Sequence, residues 1–265
     1  MIKILVCFKI THEVEHLAPK ELKAICEGTE DLEYIPKIIG SFDEAALEAA
    51  LRLRDMAIEQ GVEINLTALT IGKYESRFLI DIYSIKYDKV VHLPYNDDVS
   101  FCPERVAGAI YDYVSATGSF DIIITGQQAS VGENAQTPYI VAERLGLPCI
   151  SNVSAIELSG EKIKVTFKTN NGYGTALIKA PAIYAMGNAV HPYLRVSTLR
   201  DKRTSASKKI TQFCASDFSP RMGEAKLLKL FFQEVEKKCT FIQGNTTQEK
   251  IRILWEQYIK EVGVI

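Results

Sequence analysis

The pattern richest in chemistry runs Ile123-Ile124-Thr125-Gly126-Gln127-Gln128-Ala129-Ser130-Val131-Gly132-Glu133-Asn134-Ala135-Gln136-Thr137. An apolar run ends at Thr125, small polar residues follow, and a helical pattern begins near Glu133. A strand–loop–helix step of this kind aims backbone N–H groups and a helix N-terminus at one point, where a phosphate is held. It also leaves the carboxyl end of a strand, the edge at which open α/β sheets place their ligands. An ordinary βα loop fits the same letters, with Gly126 and Gly132 serving only the turns, because the full dinucleotide fingerprint is missing.

Other constellations carry less. His12-Glu13-Val14-Glu15-His16 satisfies the metalloprotease pattern H-E-x-x-H, a chemistry that needs both histidines on one helix face and a third ligand beyond. The pentad closely follows a strand-like run and soon meets Pro19, and the other histidines are His92 and His191. A solvated loop is the better reading, and no metal is expected. Lys202, Arg203, Lys208 and Lys209 form a basic run, but the formal charge is -2. With no DNA- or RNA-binding motif, a solvated face is preferred to a nucleic-acid surface. Serines and threonines without a nearby histidine make no hydrolase. Cys7, Cys26, Cys102, Cys149, Cys214 and Cys239 show no Cys-x-x-Cys spacing, so they read as reduced, mostly buried thiols.

The elements that must position the glycine loop follow from periodicity. Ile2 to Phe8, Ile64 to Leu69, Lys89 to Leu93 and Asp121 to Thr125 read as buried strands. Asp43 to Gln60, Tyr74 to Ile85, Glu104 to Tyr113 and Glu133 to Leu145 read as helices between them. Continuous apolar strands alternating with helices imply βαβ units and a parallel sheet with helices on both faces. Ser41 with Glu44 predicts a capping box at one helix start, and Gly61 its stop. On that helix Ala46, Ala49, Ala50, Leu53 and Ala57 share a face suited to close packing on a sheet. After Pro148 the runs Val153 to Leu158, Lys162 to Lys168 and Tyr173 to Ile178 are broken by Ser-Gly and Asn-Gly, signals of an antiparallel excursion. Ala182 to Met186 returns as a buried strand, and a loop-rich stretch past Ile210 leads to a helix near Gln248 to Glu261.

A chain of 265 residues, 47% hydrophobic and 24% charged, has the length and balance of one large globular domain, or of a domain with a docking appendage. Residues 1–210 are expected to form a nucleotide-binding α/β domain and 211–265 a C-terminal arm. Apolar runs fall far short of the ~20 residues that span a bilayer, and no signal-peptide pattern opens the chain. A cytoplasmic location without membrane insertion is the expectation.

At the glycine loop the chain resembles the β subunits of electron-transfer flavoproteins. Those carry a segment like Gly-Lys-Gln-Ala-Ile-Asp-Gly-Asp-Thr-Ala-Gln-Val, then a helix reading Ala-Glu-x-Leu-Gly-x-Pro. The counterparts are Gly126 to Thr137 and Ala142-Glu143-Arg144-Leu145-Gly146-Leu147-Pro148. Ile4 to Lys9 resembles the family's first strand, Phe42 to Leu53 its Phe-Asp-Glu helix start, and Val190-His191-Pro192-Tyr193 its partner-facing turn. Gln127 stands where the family has lysine, Val131 where it has aspartate, and Pro138 where it has glycine.

The resemblance implies a Rossmann-like fold and an adenine nucleotide, either AMP or a second FAD, across the strand ends. Its contacts carry over onto Cys7, onto Gly40, Ser41, Phe42 and Asp43, onto Ile71, and onto Gly126 to Thr137. Cys7 and Ile71 would wall the adenine, and the helix N-terminus after Ser41 would offer N–H groups. Gln128 and Thr137 would help the loop backbone hold phosphate. An α subunit carrying FAD, whose site this chain completes, and a flavin dehydrogenase are the implied partners. The chain would be an electron-carrier subunit with no catalytic residue, or NADH-oxidising if of the bifurcating type. In the family the C-terminal segment reaches over the α subunit; here Ile251, Leu254, Trp255, Tyr258, Ile259 and Val262 are spaced to form an apolar stripe. The rival expectation is a stand-alone nucleotide-sensing module of universal-stress-protein type. The adenylating enzymes of this fold carry Ser-Gly-Gly-x-Asp-Ser after the first strand, which Lys9-Ile10-Thr11-His12 does not resemble.

Overall fold

A computed structural model describes residues 1–73, 76–95, 99–213, 228–233 and 239–260. The first strand, β1 (Ile2–Cys7), is followed by a short antiparallel pair, β2 (Ile10–His12) and β3 (Lys37–Ile39), with α1 (Pro19–Cys26) between its strands. Next come α2 (Ser41–Glu59), β4 (Ile64–Ile71), α3 (Ser76–Ser84), β5 (Lys89–Leu93) and α4 (Pro103–Thr117). After these lie β6 (Ile122–Gly126), α5 (Thr137–Leu145), β7 (Cys149–Ser159), β8 (Lys162–Thr169) and β9 (Gly172–Lys179). The series continues with β10 (Ala182–Met186), α6 (Leu199–Ser205) and β11 (Thr211–Gln212). Of the helix expected from Tyr74, residues 74 and 75 lie outside the described residues, as does Cys214.

Nine strands form one sheet in the order β11-β5-β4-β1-β6-β10-β7-β8-β9. The first seven, β11 through β7, run parallel; β8 then pairs antiparallel with β7, and β9 antiparallel with β8. The α/β sheet and its antiparallel excursion are therefore both present. Strand order turns back at β1, with β4 and β5 to one side and β6 and β10 to the other. Such a switch point opens a crevice at the carboxyl ends of the two strands that flank it.

β1 shows why helices must cover both faces. Its Ile4 and Val6 join the core beneath α2 and α3, while Leu5 and Cys7 join the core beneath α4 and α5. Strand side chains alternate between faces, so a strand apolar at every position needs two cores. The small face of α2 packs as expected, with Ala46, Ala50, Leu53 and Ala57 wholly buried.

The two ends of α2 differ from each other in how far the sequence foretold them. Gly61 closes it with φ +69°, while Gly61 N donates to Ile58 O at 3.2 Å and Val62 N to Ala57 O at 2.8 Å, the Schellman arrangement. The Ser41–Glu44 capping box does not form. Gly40 is the N-cap, and Ser41 is already the first helical residue, with no side-chain cap bond at this end.

The segment after β10 is pinned to α2 by charge. Glu48 is 3% exposed. It accepts from Arg195 N at 3.1 Å and from the Arg195 guanidinium at 2.9 Å, and Arg52 Nε comes within 3.1 Å of the same Oε1 that takes the guanidinium. Arg195 also reaches Asp55 at 2.8 Å.

The chain divides into two compact units, Met1–Leu230 and Phe231–Ile265. In the second, α7 (Thr247–Leu254) starts with a reciprocal cap. Thr246 Oγ1 accepts from Glu249 N at 3.2 Å, and Glu249 accepts from Asn245 N at 2.9 Å. A π-helical turn, Trp255–Ile259, continues it; Glu261 and Val262 lie outside the described residues. Among the described residues no helix is long and apolar enough to cross a membrane.

Replacing Arg195 with alanine should destabilise the chain by roughly 2 kcal/mol in a urea titration, because it strips a buried carboxylate of its best donor. A midpoint equal to wild type would show that Arg52 alone suffices for Glu48.

Candidate functional site

The crevice at the switch point is a cavity walled by the carboxyl ends of three strands. β1 supplies Cys7 with Phe8 and Lys9 beyond it, β4 supplies Leu69 and Ile71, and β6 supplies Thr125 and Gly126. The loop after β6 adds Gln127, Gln128, Ala129, Val131, Glu133 and Asn134, and the start of α5 adds Thr137 and Pro138. Opposite them, Val99, Ser100, Pro103, Val106 and Ile110 close the wall from the α4 side.

Asp43 is where these pieces meet. It stands in the first turn of α2 and is 6% exposed. Its Oδ2 accepts from Lys9 N and its Oδ1 from Gly126 N, both at 3.1 Å. One carboxylate thus joins the loop after β1 to the loop after β6. The glycine at 126 follows directly, since an added Cβ would run into the Asp43 carboxylate and lie 3.1 Å from the Asp43 nitrogen. The positive end of α2 consequently faces its own carboxylate.

Burial pushes the Asp43 pKa up to about 7, against the pull of the two N–H groups and the Lys9 ammonium. Burial likewise pushes the Cys7 thiol up, with the neighbouring Asp43 charge adding to it. Cys7 is therefore an apolar wall and no nucleophile.

The loop after β6 is held in an unusual shape. Gly132, Glu133 and Ala135 have φ of +101°, +36° and +51°, values that side-chain-bearing residues rarely adopt outside functional sites. A Cβ on Gly132 would lie 2.5 Å from Ser100 O. This is why the helix expected from Glu133 begins instead at Thr137: two left-handed residues interrupt it, and Pro138 stands in its first turn. Asn134 Oδ1 accepts from Gln136 N at 3.2 Å inside the loop. Lys9 Nζ donates to Val131 O at 2.8 Å, which brings a cation onto the loop from the β1 side.

Gln127 has a structural task. Its nitrogen donates to Met186 O at 2.9 Å, and its Oε1 accepts from Asn152 N at 3.1 Å. The backbone N–H thus ties the loop to β10 and the side chain ties it to β7. Ser130 Oγ is buried without a partner among the described residues.

Of the residues anticipated from sequence, Cys7, Asp43, Ile71, Gly126, Gln127, Gln128, Ala129, Val131, Glu133, Asn134 and Thr137 come together in the cavity wall. Gly40, Ser41, Phe42, Ser130, Gly132, Ala135 and Gln136 shape the adjoining turns without lining it. Phe8, Lys9, Leu69, Thr125 and the α4 residues were not anticipated. The first four sit at strand ends, where the parallel-sheet rule could have found them; the α4 residues carry no local signal.

The H-E-x-x-H pentad is not helical. His12 ends β2, with Nδ1 3.2 Å from Ile35 O, and His16 lies in an exposed turn 3.2 Å from Glu13. No cluster of three potential metal ligands occurs among the described residues.

Two outcomes follow. The folded pKa of Asp43 lies above its ordinary value of 3.8, so the unliganded chain loses stability as pH rises from about 4 to about 7, on the order of 1 kcal/mol per pH unit. A thermal midpoint higher at pH 5 than at pH 8, with Asp43→Asn flattening the difference, is the expected record. Gly126→Val should lose stability and nucleotide retention together, whereas His12→Ala with His16→Ala should leave both unchanged. A histidine pair whose loss abolishes function would move the site elsewhere.

Comparison with known proteins identifies the family. Residues 33–217 match the family described as "Electron transfer flavoprotein domain". YgcR of Escherichia coli (strain K12), provisionally named an electron transfer flavoprotein subunit, is 29% identical over 261 residues, covering 97% of this chain and 98% of that protein. The electron transfer flavoprotein subunit beta of Mycobacterium tuberculosis (strain H37Rv) is 24% identical, over 75% of each chain. That of Clostridium acetobutylicum is 26% identical, over 68% of this chain and 66% of the relative. The chain belongs to the electron transfer flavoprotein β-subunit family, whose members carry electrons and are not enzymes.

Proposed function

We propose that this chain is the β subunit of a heterodimeric electron-transfer flavoprotein. It binds an adenine nucleotide in the switch-point cavity and completes the FAD site of an α subunit that takes electrons from a flavin dehydrogenase. The observation that carries the reading is the cavity itself. Residues far apart in sequence, Cys7, Asp43, Ile71 and the loop from Gly126, converge on one crevice at the strand ends, the position at which open α/β sheets hold nucleotides.

The residues present suit such a ligand. Cys7, Leu69, Ile71, Val106 and Ile110 offer an apolar slot for a flat ring, and the buried Thr125 hydroxyl on that wall has no partner among the described residues. Lys9 is the cation among the described cavity-lining residues. FAD, when bound, supplies the one- and two-electron chemistry of a carrier; this chain's part is to hold the nucleotide and to exclude water around it.

AMP is favoured over a second FAD. Asp43 and Glu133 place two carboxylates on the cavity wall against one ammonium, so a diphosphate meets more repulsion than a monophosphate. The arm proposed over residues 211–265 suits docking on the α subunit, since Ile251 is 58% and Trp255 49% exposed.

Co-expression with a cognate α chain should yield a yellow one-to-one complex. Denaturing it and weighing the released nucleotides should give one FAD and one AMP per heterodimer. Two FAD and no AMP would make it a bifurcating type, and a stable homodimer that ignores every α chain would favour the nucleotide-sensing module.

A further inference from the structure

We infer that Thr125 is a nucleobase-reading residue: its hydroxyl stands as the polar contact for the edge of a purine ring inside an otherwise apolar slot. The inference rests on the proposed nucleotide cavity and goes beyond it, because neither the loop pattern nor the family resemblance singled out this position.

The geometry begins with strand alternation. Along β6, Ile122 and Ile124 enter the core beneath α2, and Ile123 enters the one beneath α4 and α5. Thr125 therefore faces the α4 side, beside its register partner Cys7, which belongs to that same core. There the cavity wall is Cys7, Leu69, Ile71, Val106 and Ile110. Thr125 is 4% exposed, and its Oγ1 finds no hydrogen-bond partner among the described residues. A hydroxyl so placed lowers stability unless something satisfies it. A valine would fill the same volume without that penalty. A β-branched hydroxyl at the end of a strand that is otherwise isoleucine is thus explained by a ligand atom.

The ligand chemistry follows from the surroundings. Apolar walls take a flat ring, and one hydroxyl, able to donate and to accept, suits the mixed donors and acceptors along an adenine edge. Lys9, on the Val131 carbonyl, is the cation of the wall, while the Asp43 carboxylate accepts from Gly126 N beside Thr125. The adenine is common to AMP and to FAD.

The test uses the full-length chain as wild type, Thr125→Val and Thr125→Ser, titrated with AMP, FAD and ribose 5-phosphate. Thr125→Val should weaken AMP or FAD about three- to tenfold, whichever the wild type binds, leaving ribose 5-phosphate unchanged. Its unliganded thermal midpoint should equal or exceed that of wild type, and Thr125→Ser should retain wild-type affinity. Equal affinity of wild type and Thr125→Val for the adenine ligand would overturn the base-reading role and leave the cavity assignment standing. A lower midpoint, or an equal loss with ribose 5-phosphate, would make Thr125 a structural residue and overturn it too. A wild-type chain that binds neither AMP nor FAD would overturn both this role and the cavity assignment.

Discussion

A carboxylate taken out of water must find donors or give up its charge, and Asp43 finds them in two backbone N–H groups, one from the loop after β1 and one from the end of β6. That demand organises the site. It fixes the turn after β1, places the first turn of α2 against the end of β6, and forbids any side chain at 126. Both loops of the crevice hang on the same group. The raised pKa shows that two N–H bonds and a nearby ammonium offset only part of the desolvation. The site thus holds strain of an electrostatic kind, which fits a place where ligand contacts outrank stability.

A second tie works at a distance. Glu48 lies five residues, about 1.4 helical turns, beyond Asp43 on α2, and its pairing with Arg195 anchors the segment that carries the exposed Val190, Tyr193 and Val196. The same helix therefore secures the switch-point crevice at its first turn and an apolar surface segment farther on. Rigid elements of this sort let a loop be exposed without being loose.

Much of this was legible in the letters, and the failures have physical causes. The parallel core was readable because its strands are dominated by apolar runs such as Ile4 to Val6 and Ile122 to Ile124, and the excursion because Ser159-Gly160 and Asn171-Gly172 mark its turns. The loop at Gly126 was found for its glycines, but the tightest reason for that glycine, the Asp43 carboxylate, is 83 residues away in sequence. The helix start was misplaced because Glu133 and Ala135 adopt left-handed backbone that their side chains do not advertise. The Ser41 cap was misplaced by one position, Gly40 taking the role without a side chain. Gln127 read as a lost cation, whereas the structure gives its amide to the β7–β10 junction. The α4 wall was invisible because it comes from tertiary packing alone.

The left-handed stretch from Gly132 to Ala135 bears on tempo. A loop that orders itself only on ligand arrival must surrender its freedom at each binding event. This one is bent in advance, braced by the Lys9 ammonium on Val131 O and by Asn134 on the Gln136 nitrogen. Its conformational cost is charged to folding, once per molecule. Capture is then governed by encounter and orientation, and release by the contacts alone, an arrangement suited to the lasting occupant proposed for this crevice.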